Sequence, residues 1–200
     1  MKFIQYLLLV FIAVLVWSAI GPKDYFTWFL EVLPAMIGVL VLVFTYRKFK
    51  FTDLVYGLIL LHGVILMVGG HYTYAEVPFF DWIKEVFDMT RNNYDKVGHL
   101  AQGFVPAMIA RELMIRKQVV HKRSWLNFII VCICMAISVA YEFIEWGVAE
   151  MTGESAESFL GTQGYIWDTQ SDMLFATLGA IMALALLGKV HNKALASVMN

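Results

Sequence analysis

Several features of secreted and nucleic-acid-binding proteins are scarce in this 200-residue chain. It has only two cysteines, Cys132 and Cys134. On a helix, residues two apart point to different faces, so this pair cannot form a disulfide there. The 15 Lys and Arg residues are matched by 16 Asp and Glu residues, which leaves no basic excess for a phosphate backbone. Charged residues make up only 16% of the chain. These shortages exclude a disulfide-stapled scaffold, a nucleic-acid binder and a disordered chain.

The chain also lacks the short motifs that mark common catalytic sites. The glycine-rich dinucleotide fingerprint, the P-loop, the zinc-protease HExxH pattern and the GxSxG nucleophile pattern are all absent. No CxxC pair or haem-attachment motif is present either. The sequence therefore carries no signature of a nucleotide-dependent enzyme, a zinc protease or a serine hydrolase.

Long apolar runs are what the chain has in abundance. Hydrophobic residues make up 60% of it, and its mean hydropathy is +0.68. A membrane-spanning helix needs about 20 mostly apolar residues, and six segments qualify. We interpret the first as a retained span, because Ser18-Ala19-Ile20-Gly21 is a poor signal-peptide cleavage site and five further apolar segments follow. The segments cover residues 3–20, 28–46, 54–69, 98–115, 126–149 and 173–187. The prediction is an all-α, polytopic membrane helix bundle forming a single domain of residues 1–200.

The placement of Lys and Arg predicts the orientation of this bundle. Basic residues concentrate in the connections 46–50 and 116–123 and in the C-terminal tail. The stretch 150–171 has no Lys or Arg, and the stretch 70–97 is net acidic. Because basic connections stay in the cytoplasm, we predict six spans with both termini cytoplasmic and three connections outside.

Two of the predicted outside connections are long and polar. In the first, residues 83–87 have helical apolar spacing, and we expect this part to lie flat on the bilayer surface. The second, after Glu150, contains turn-forming residues such as Gly153 and Gly161 and is not expected to form a separate domain.

Ionisable side chains near the outer ends of the predicted spans are the most informative feature, because such groups are costly in a bilayer. Asp95 and His99 lie four residues apart, with Gln102 one turn further on, and Glu142 and Glu145 lie three apart. Each set therefore shares one face of a helix. The predicted topology places these residues at one depth, which indicates a shared site. The other members at that depth are Asp168 and Asp172, before the sixth segment, and His71, after the third.

Carboxylates and imidazoles gathered at one depth suit either a divalent metal ion or proton sharing, and both support acid–base catalysis. The sequence does not decide between them, so a divalent metal is a candidate cofactor only. The predicted catalytic residues are Glu142, Glu145 and His99. The predicted metal ligands are Asp95, His99, Glu142, Glu145, Asp168 and Asp172. The predicted substrate-contacting residues are His71, Tyr72, Tyr74, Gln102 and Trp167, although interfacial anchoring also explains the aromatic ones.

Structural roles compete with these functional ones. Asp95 and Asp168 are suited to capping helix N-termini, and His99 is suited to pairing with Asp95. The remaining ionisable residues of the spans are interpreted as follows: His62 as a hydrogen-bonded core histidine, Glu31 as either part of the site or an interfacial side chain, and Arg111 and Glu112 as interfacial.

The stretches that carry these residues resemble the YjdF family of bacterial inner-membrane proteins over essentially the whole chain. The matching stretches are residues 70–78, 94–99, 141–146 and 167–173. The resemblance implies a multi-pass protein of the cell inner membrane. It implies no activity, because the family is uncharacterised.

The second half is also similar to the VanZ-like membrane proteins. That group shows an Asp-Lys-x-x-His start to one span, an acid on the next, and an Asp-x-x-x-Asp approach to a span ending in Gly. The group often has Gln where this chain has Glu145 and Asn where it has Thr177. The resemblance implies a shared site and a link to glycopeptide tolerance at the cell envelope, but not a shared substrate. The corresponding residues here are Asp95, Lys96, His99, Glu142, Asp168, Asp172 and Gly179.

Three functions stay open at this point. The first is an intramembrane enzyme acting on an envelope lipid or lipid-linked intermediate. The second is a small ion- or proton-coupled carrier, against which stand the small size and the absence of an internal repeat. The third is a non-catalytic envelope assembly partner. Membrane lipids are the expected partners in each case, and nucleic acid is not.

Overall fold

The computed structural model describes residues 2–152 and 162–199, and within them all regular secondary structure is α-helical. The all-α prediction is therefore confirmed. Residues 153–161, which include the predicted turn at Gly153 and Gly161, lie outside the described residues. The helices are α1 (Lys2–Ser18), α2 (Tyr25–Thr45), α3 (Asp53–His71), α4 (Pro78–Val86), α5 (Tyr94–Arg116), α6 (Arg123–Thr152) and α7 (Asp168–Met199).

Among the described residues, four helices are long and apolar enough to cross a membrane, namely α2, α3, α6 and α7. Helix α1 is apolar but has only 17 residues, and α5 has 23 residues but carries several charged side chains. A helix enclosed by other helices does not need an apolar surface, because its polar groups meet protein and not lipid. The six-span count and the cytoplasmic termini stay predictions.

Helix α5 lies at the centre of the packing. It contacts α3, α6 and α7, and the contact with α7 is the most extensive in the molecule. Two glycines permit this approach, because a Cβ at Gly103 would overlap the Ala176 carbonyl oxygen and one at Gly179 would overlap the Leu100 carbonyl oxygen. Helices α1 and α2 both pack on α3, which joins them to the α5–α7 pair.

Helix α4 is short and exposed. Pro78 stands at its first turn, where the missing N–H costs nothing, and none of its residues is buried. Phe79, Trp82 and Val86 recur along one face, and all three are exposed. This helix includes most of residues 83–87, for which the sequence predicted helical spacing, but it begins five residues earlier. Its exposed apolar face suits the predicted position on the bilayer surface.

Candidate acid–histidine site

Three polar side chains of α5 form the first part of the site. The His99 Nε2 atom lies 3.2 Å from Asp95 Oδ1, and its Nδ1 atom lies 3.1 Å from Gln102 Oε1. The helix places Asp95 one turn before His99 and Gln102 nearly one turn after it, so the imidazole is held from both sides. Because the Gln102 side-chain oxygen lies next to Nδ1, the Nδ1 N–H donates a hydrogen bond to it, and Nε2 faces the carboxylates of Asp95 and Asp172.

The two aspartates at the start of α7 meet cations from α5 and from the residues before it. The Lys96 ammonium lies 2.7 Å from Asp168 Oδ1, 2.5 Å from Asp172 Oδ1 and 3.2 Å from Asp95 Oδ2. The Arg91 guanidinium lies 2.6 Å from Asp168 and 3.6 Å from Asp95. All five side chains are buried, so these ion pairs fasten the start of α7 to α5.

Asp95 and Asp168 are also suited, from their positions in the sequence, to capping helix N-termini. At the start of α5 it is Asn92 whose side chain accepts the backbone N–H of Tyr94. Among the described residues, the carboxylates of Asp95 and Asp168 bond to side-chain cations and the His99 imidazole. The expected pairing of His99 with Asp95 is present.

Helix α6 contributes two glutamates that lie differently. Glu145 lines a cavity together with Asp95 and His99. Glu142 is only 7% exposed, does not line that cavity and lies beside Thr169 of α7. Its Oε1 atom is buried without a hydrogen-bond partner among the described residues. The pair therefore shares a helix face, as predicted, but only Glu145 reaches the cavity.

This cavity, called here the carboxylate chamber, has a volume of about 160 Å³. It lies between α2, α3, α5 and α6. Glu31 of α2 lines it, and the Tyr141 hydroxyl lies 3.4 Å from Glu31 Oε2. Glu31 is buried, so of its two predicted positions the one inside the bundle is present. The polar residues that line the chamber are Glu31, His62, Tyr74, Asp95, His99, Gln102, Tyr141 and Glu145.

Tyr74 closes one side of the chamber from the connection after α3. Its ring packs against the backbone of Gly69 and Gly98, since a Cβ at either glycine would overlap the ring. Tyr74 is 6% exposed, and burial raises the pKa of its hydroxyl well above the usual value. That hydroxyl faces the Glu31 carboxyl group in the chamber. It therefore presents a neutral O–H donor at the chamber wall.

Three of the predicted substrate-contacting residues lie elsewhere. The His71 Nδ1 atom is 3.0 Å from the Ser18 carbonyl oxygen, and its ring packs 4.7 Å from that of Trp17. Tyr72 packs against the same tryptophan, at 6.4 Å. Both residues thus join the end of α3 to the end of α1. Trp167 is 58% exposed and does not line the chamber.

The sequence reasoning missed the cations of the site. From the sequence, Lys96 is part of the VanZ-like pattern only, and Arg91 is not predicted. Arg91 lies four residues before Asp95, a spacing at which one helical turn brings these two side chains together. Gln163 was missed as well, and its side chain bonds both the backbone N–H and the carbonyl of Asn92, at 3.0 and 2.8 Å. No local pattern identifies that contact, because 71 residues separate the partners.

A second polar network lies at the other end of the bundle. Glu112 is fully buried and accepts hydrogen bonds from Thr52, Arg116 and His191. The His191 Nδ1 atom lies 2.9 Å from the Arg111 guanidinium, so Nδ1 accepts and the Nε2 N–H donates to Glu112. The interfacial interpretation of Arg111 and Glu112 is therefore wrong, because both are buried in a network with α7.

The fold and this buried polar site define a polytopic membrane protein with an ionisable cavity inside its helix bundle. The chain belongs to the family described as "Predicted membrane protein (DUF2238)", which matches residues 3–193. It is 47% identical over 178 residues to the inner membrane protein YjdF of Escherichia coli (strain K12), covering 89% of this chain and 85% of that protein. The protein is accordingly a multi-pass inner-membrane protein. No solved structure matches the chain.

Proposed function

We propose that this protein is a membrane-embedded enzyme that acts on an envelope lipid or lipid-linked intermediate. The observation that carries the proposal is the position of His99, held by Asp95 and Gln102 in a cavity that it shares with Glu145. An imidazole fixed between an acceptor and a carboxylate is a common arrangement for moving a proton during catalysis. In this proposal His99 is the general acid–base and Glu145 is its partner across the chamber.

The size of the chamber limits what it receives. At about 160 Å³ the chamber is smaller than the roughly 300–1,000 Å³ of a pocket that encloses a drug-sized ligand. Only the reacting part of a lipid head group fits, and its apolar chains would stay in the bilayer. The exposed aromatic face of α4 and the exposed Trp167 suit contact with that bilayer.

The test is turnover of lipid by the purified protein in liposomes made from inner-membrane lipid extract and supplied with lipid-linked cell-wall precursors, followed by mass spectrometry. We expect product from the native chain and a loss of roughly 10²–10⁴-fold in rate for His99→Gln. Glu76→Gln is the matched control, because Glu76 is an exposed carboxylate that pairs with the exposed Lys23. Equal turnover by His99→Gln and the native chain would refute the proposal.

A proton- or ion-coupled carrier is the second candidate, and the buried carboxyl groups of Glu31 and Glu145 in the chamber favour it. The network around Glu112 closes the opposite end and would have to open during transport. Uptake into proteoliposomes that follows an imposed pH gradient, without any lipid product, would select the carrier.

A further inference from the structure

The first two helices leave a crevice between them on the surface of α3. Helices α1 and α2 each pack on α3, and they make no extensive contact with each other. They are joined at one end, where Trp28 Nε1 donates a hydrogen bond of 3.1 Å to Ser18 Oγ. At the other end a cavity of about 290 Å³ separates them, with α3 as its floor. This cavity, called here the α1–α2 crevice, is lined by side chains from residues 4–11, 39–46 and 56–60.

The lining of the α1–α2 crevice is polar at one end and apolar elsewhere. Its three polar side chains are Gln5, Tyr46 and Tyr56, which lie at the start of α1, just after α2 and near the start of α3. The rest of the lining is Leu, Ile, Val and Phe. Leu8 and Val43 line the crevice and are 40% and 58% exposed, so it opens at the side of the bundle. An apolar cavity of roughly 150 Å³ stays dry and takes up a small hydrocarbon, so the larger apolar part of this crevice suits hydrocarbon and not water.

Cations stand next to the polar end of the crevice. Lys2 is at the start of α1, and Arg47 and Lys48 directly follow Tyr46. All three are exposed, and among the described residues no carboxylate lies within ion-pair distance of any of them. The positive-inside pattern predicts that this end of the bundle faces the cytoplasm. The cytoplasmic leaflet contains anionic lipids, which attract basic residues at its surface.

We propose that the α1–α2 crevice binds an anionic phospholipid of the inner leaflet. One hydrocarbon chain lies in the apolar part between α1 and α2, and the phosphate lies at the polar end near Lys2, Arg47 and Lys48. The crevice thus offers cations, then polar side chains, then apolar ones, which is the order of phosphate, ester and hydrocarbon in the lipid. A zwitterionic lipid has the same chains, but these cations repel its positively charged head group.

The bound lipid takes the place of the contact that α1 and α2 do not make with each other. The extensive contact of α1 with the bundle is with α3, so a chain held between α1 and α2 adds a second attachment for α1. A ligand that binds only this arrangement stabilises the folded protein. The crevice lies at the opposite end of the bundle from the carboxylate chamber, so the proposal does not depend on the enzyme proposed above.

The experiment is a titration of the purified full chain in detergent with dioleoyl phosphatidylglycerol, followed by native mass spectrometry. Dioleoyl phosphatidylcholine, with the same hydrocarbon chains, is titrated beside it. We expect one tightly bound phosphatidylglycerol per chain, with an affinity about tenfold or more above that for phosphatidylcholine. The double variant Arg47→Gln/Lys48→Gln should lose this preference. Lys189→Gln/Lys193→Gln is the matched control, because it removes two exposed cations of α7, which does not line the crevice, and it should bind as the native chain does.

A second pair of variants tests the crevice without changing any charge. Val43→Trp places a bulky ring in the crevice, so it should weaken phosphatidylglycerol binding as much as the loss of the two cations does. Val41→Trp is its control, because Val41 is 53% exposed on the same helix and does not line the crevice. Both valines are exposed, so neither substitution overfills a buried core.

Several results would overturn the inference. Equal affinity of the native chain for the two lipids, or an equal loss in Lys189→Gln/Lys193→Gln, would show attraction to surface charge alone. Full binding by Val43→Trp, or binding of glycerol 3-phosphate as tight as that of the lipid, would show that no hydrocarbon chain enters the crevice. A dimer that forms without lipid and is lost in Val43→Trp would show that a second copy of the chain fills it.

Thermal unfolding keeps the test decisive if a variant folds poorly. Phosphatidylglycerol should raise the melting temperature of the native chain and of both controls, and it should not raise that of Arg47→Gln/Lys48→Gln or Val43→Trp. A rise of the same size in all five chains would contradict a lipid site in the crevice.

Discussion

At the scale of single residues, Lys96 is the most heavily engaged side chain of the site. Its ammonium has three N–H donors, and three carboxylates lie within 3.2 Å of it. Removing one member of a buried ion cluster is costly, because the charges left behind have lost both water and partner. Lys96 therefore holds α7 on α5 as much as it neutralises the site.

We predict that Lys96→Met destabilises the protein by about 3–5 kcal/mol, since three aspartates then share only Arg91 and His99. The measurement is thermal or denaturant unfolding of the purified protein in detergent. Lys23→Met is the control, because the Lys23–Glu76 pair is more than half exposed on both sides, and it should leave the unfolding midpoint unchanged. Similar midpoints for both variants would contradict the role given to Lys96.

At the scale of helices, the α5–α7 contact depends on positions where backbone meets backbone. Gly179 lies against the Leu100 carbonyl oxygen, so any side chain there forces the two helices apart. Gly188, about two and a half helical turns further along α7, has nothing within 4 Å of its Cβ position. The two glycines of α7 thus differ in their surroundings, because the backbone of α5 lies against Gly179 and no atom lies close to Gly188.

We predict that Gly179→Ala destabilises the protein by about 1–3 kcal/mol through overpacking against backbone. Gly188→Ala should be neutral or should stabilise the protein by up to about 1 kcal/mol, because alanine favours a helix more than glycine does. Paired unfolding measurements in one detergent check both. A larger loss for Gly188→Ala than for Gly179→Ala would contradict the close α5–α7 contact.

Helix α4 has an exposed apolar face, and we predict that this face lies in the bilayer interface. A spin label on a cysteine at Trp82, in a chain with both native cysteines replaced by alanine, should be relaxed by lipid-soluble oxygen. A label at Lys84, which points to another side of the helix, should respond to a water-soluble nickel complex. Equal accessibility to the nickel complex at both positions would show that α4 lies free in water.

At the scale of the whole molecule, the basic connections 46–50 and 116–123 lie at the opposite end of the bundle from the acid–histidine site. The positive-inside pattern predicts that the site lies on the outer side of the membrane. Four helices are apolar and long enough to span, while α1 and α5 meet only one of the two conditions. The number of spans therefore depends on these two helices.

We predict that reporter fusions at Asn200 and near Arg116 report the cytoplasm, and that fusions near Asp88 and Glu157 report the outer side. The expected readout is alkaline phosphatase activity for the outer positions and green fluorescence for the cytoplasmic ones. Phosphatase activity at Asn200 would overturn the six-span count.

Much of the architecture follows from local pattern. The apolar runs predicted helices at the positions of α1, α2, α3, α6 and α7, because burial of apolar side chains in lipid or protein depends on segment composition. The i, i+4 spacing of Asp95 and His99 predicted their contact, because helix geometry alone brings such residues together. The same geometry placed Glu142 and Glu145 on one face.

What the sequence by itself determined is thus the helical class, the membrane setting and the pairs of polar residues within each helix. Only the tertiary structure decided which of these groups lie together. Glu31 of α2 and Glu145 of α6 line one cavity, Asp168 and Asp172 contact Lys96, and His71 contacts the end of α1. It also buried Arg111 and Glu112 against His191, 80 and 79 residues away along the chain. The physical reason is that the position of a residue along its helix sets the direction in which its side chain points. Which residue of another helix it contacts depends on how closely the two helices approach. Here that approach depends on backbone contacts such as the one at Gly179.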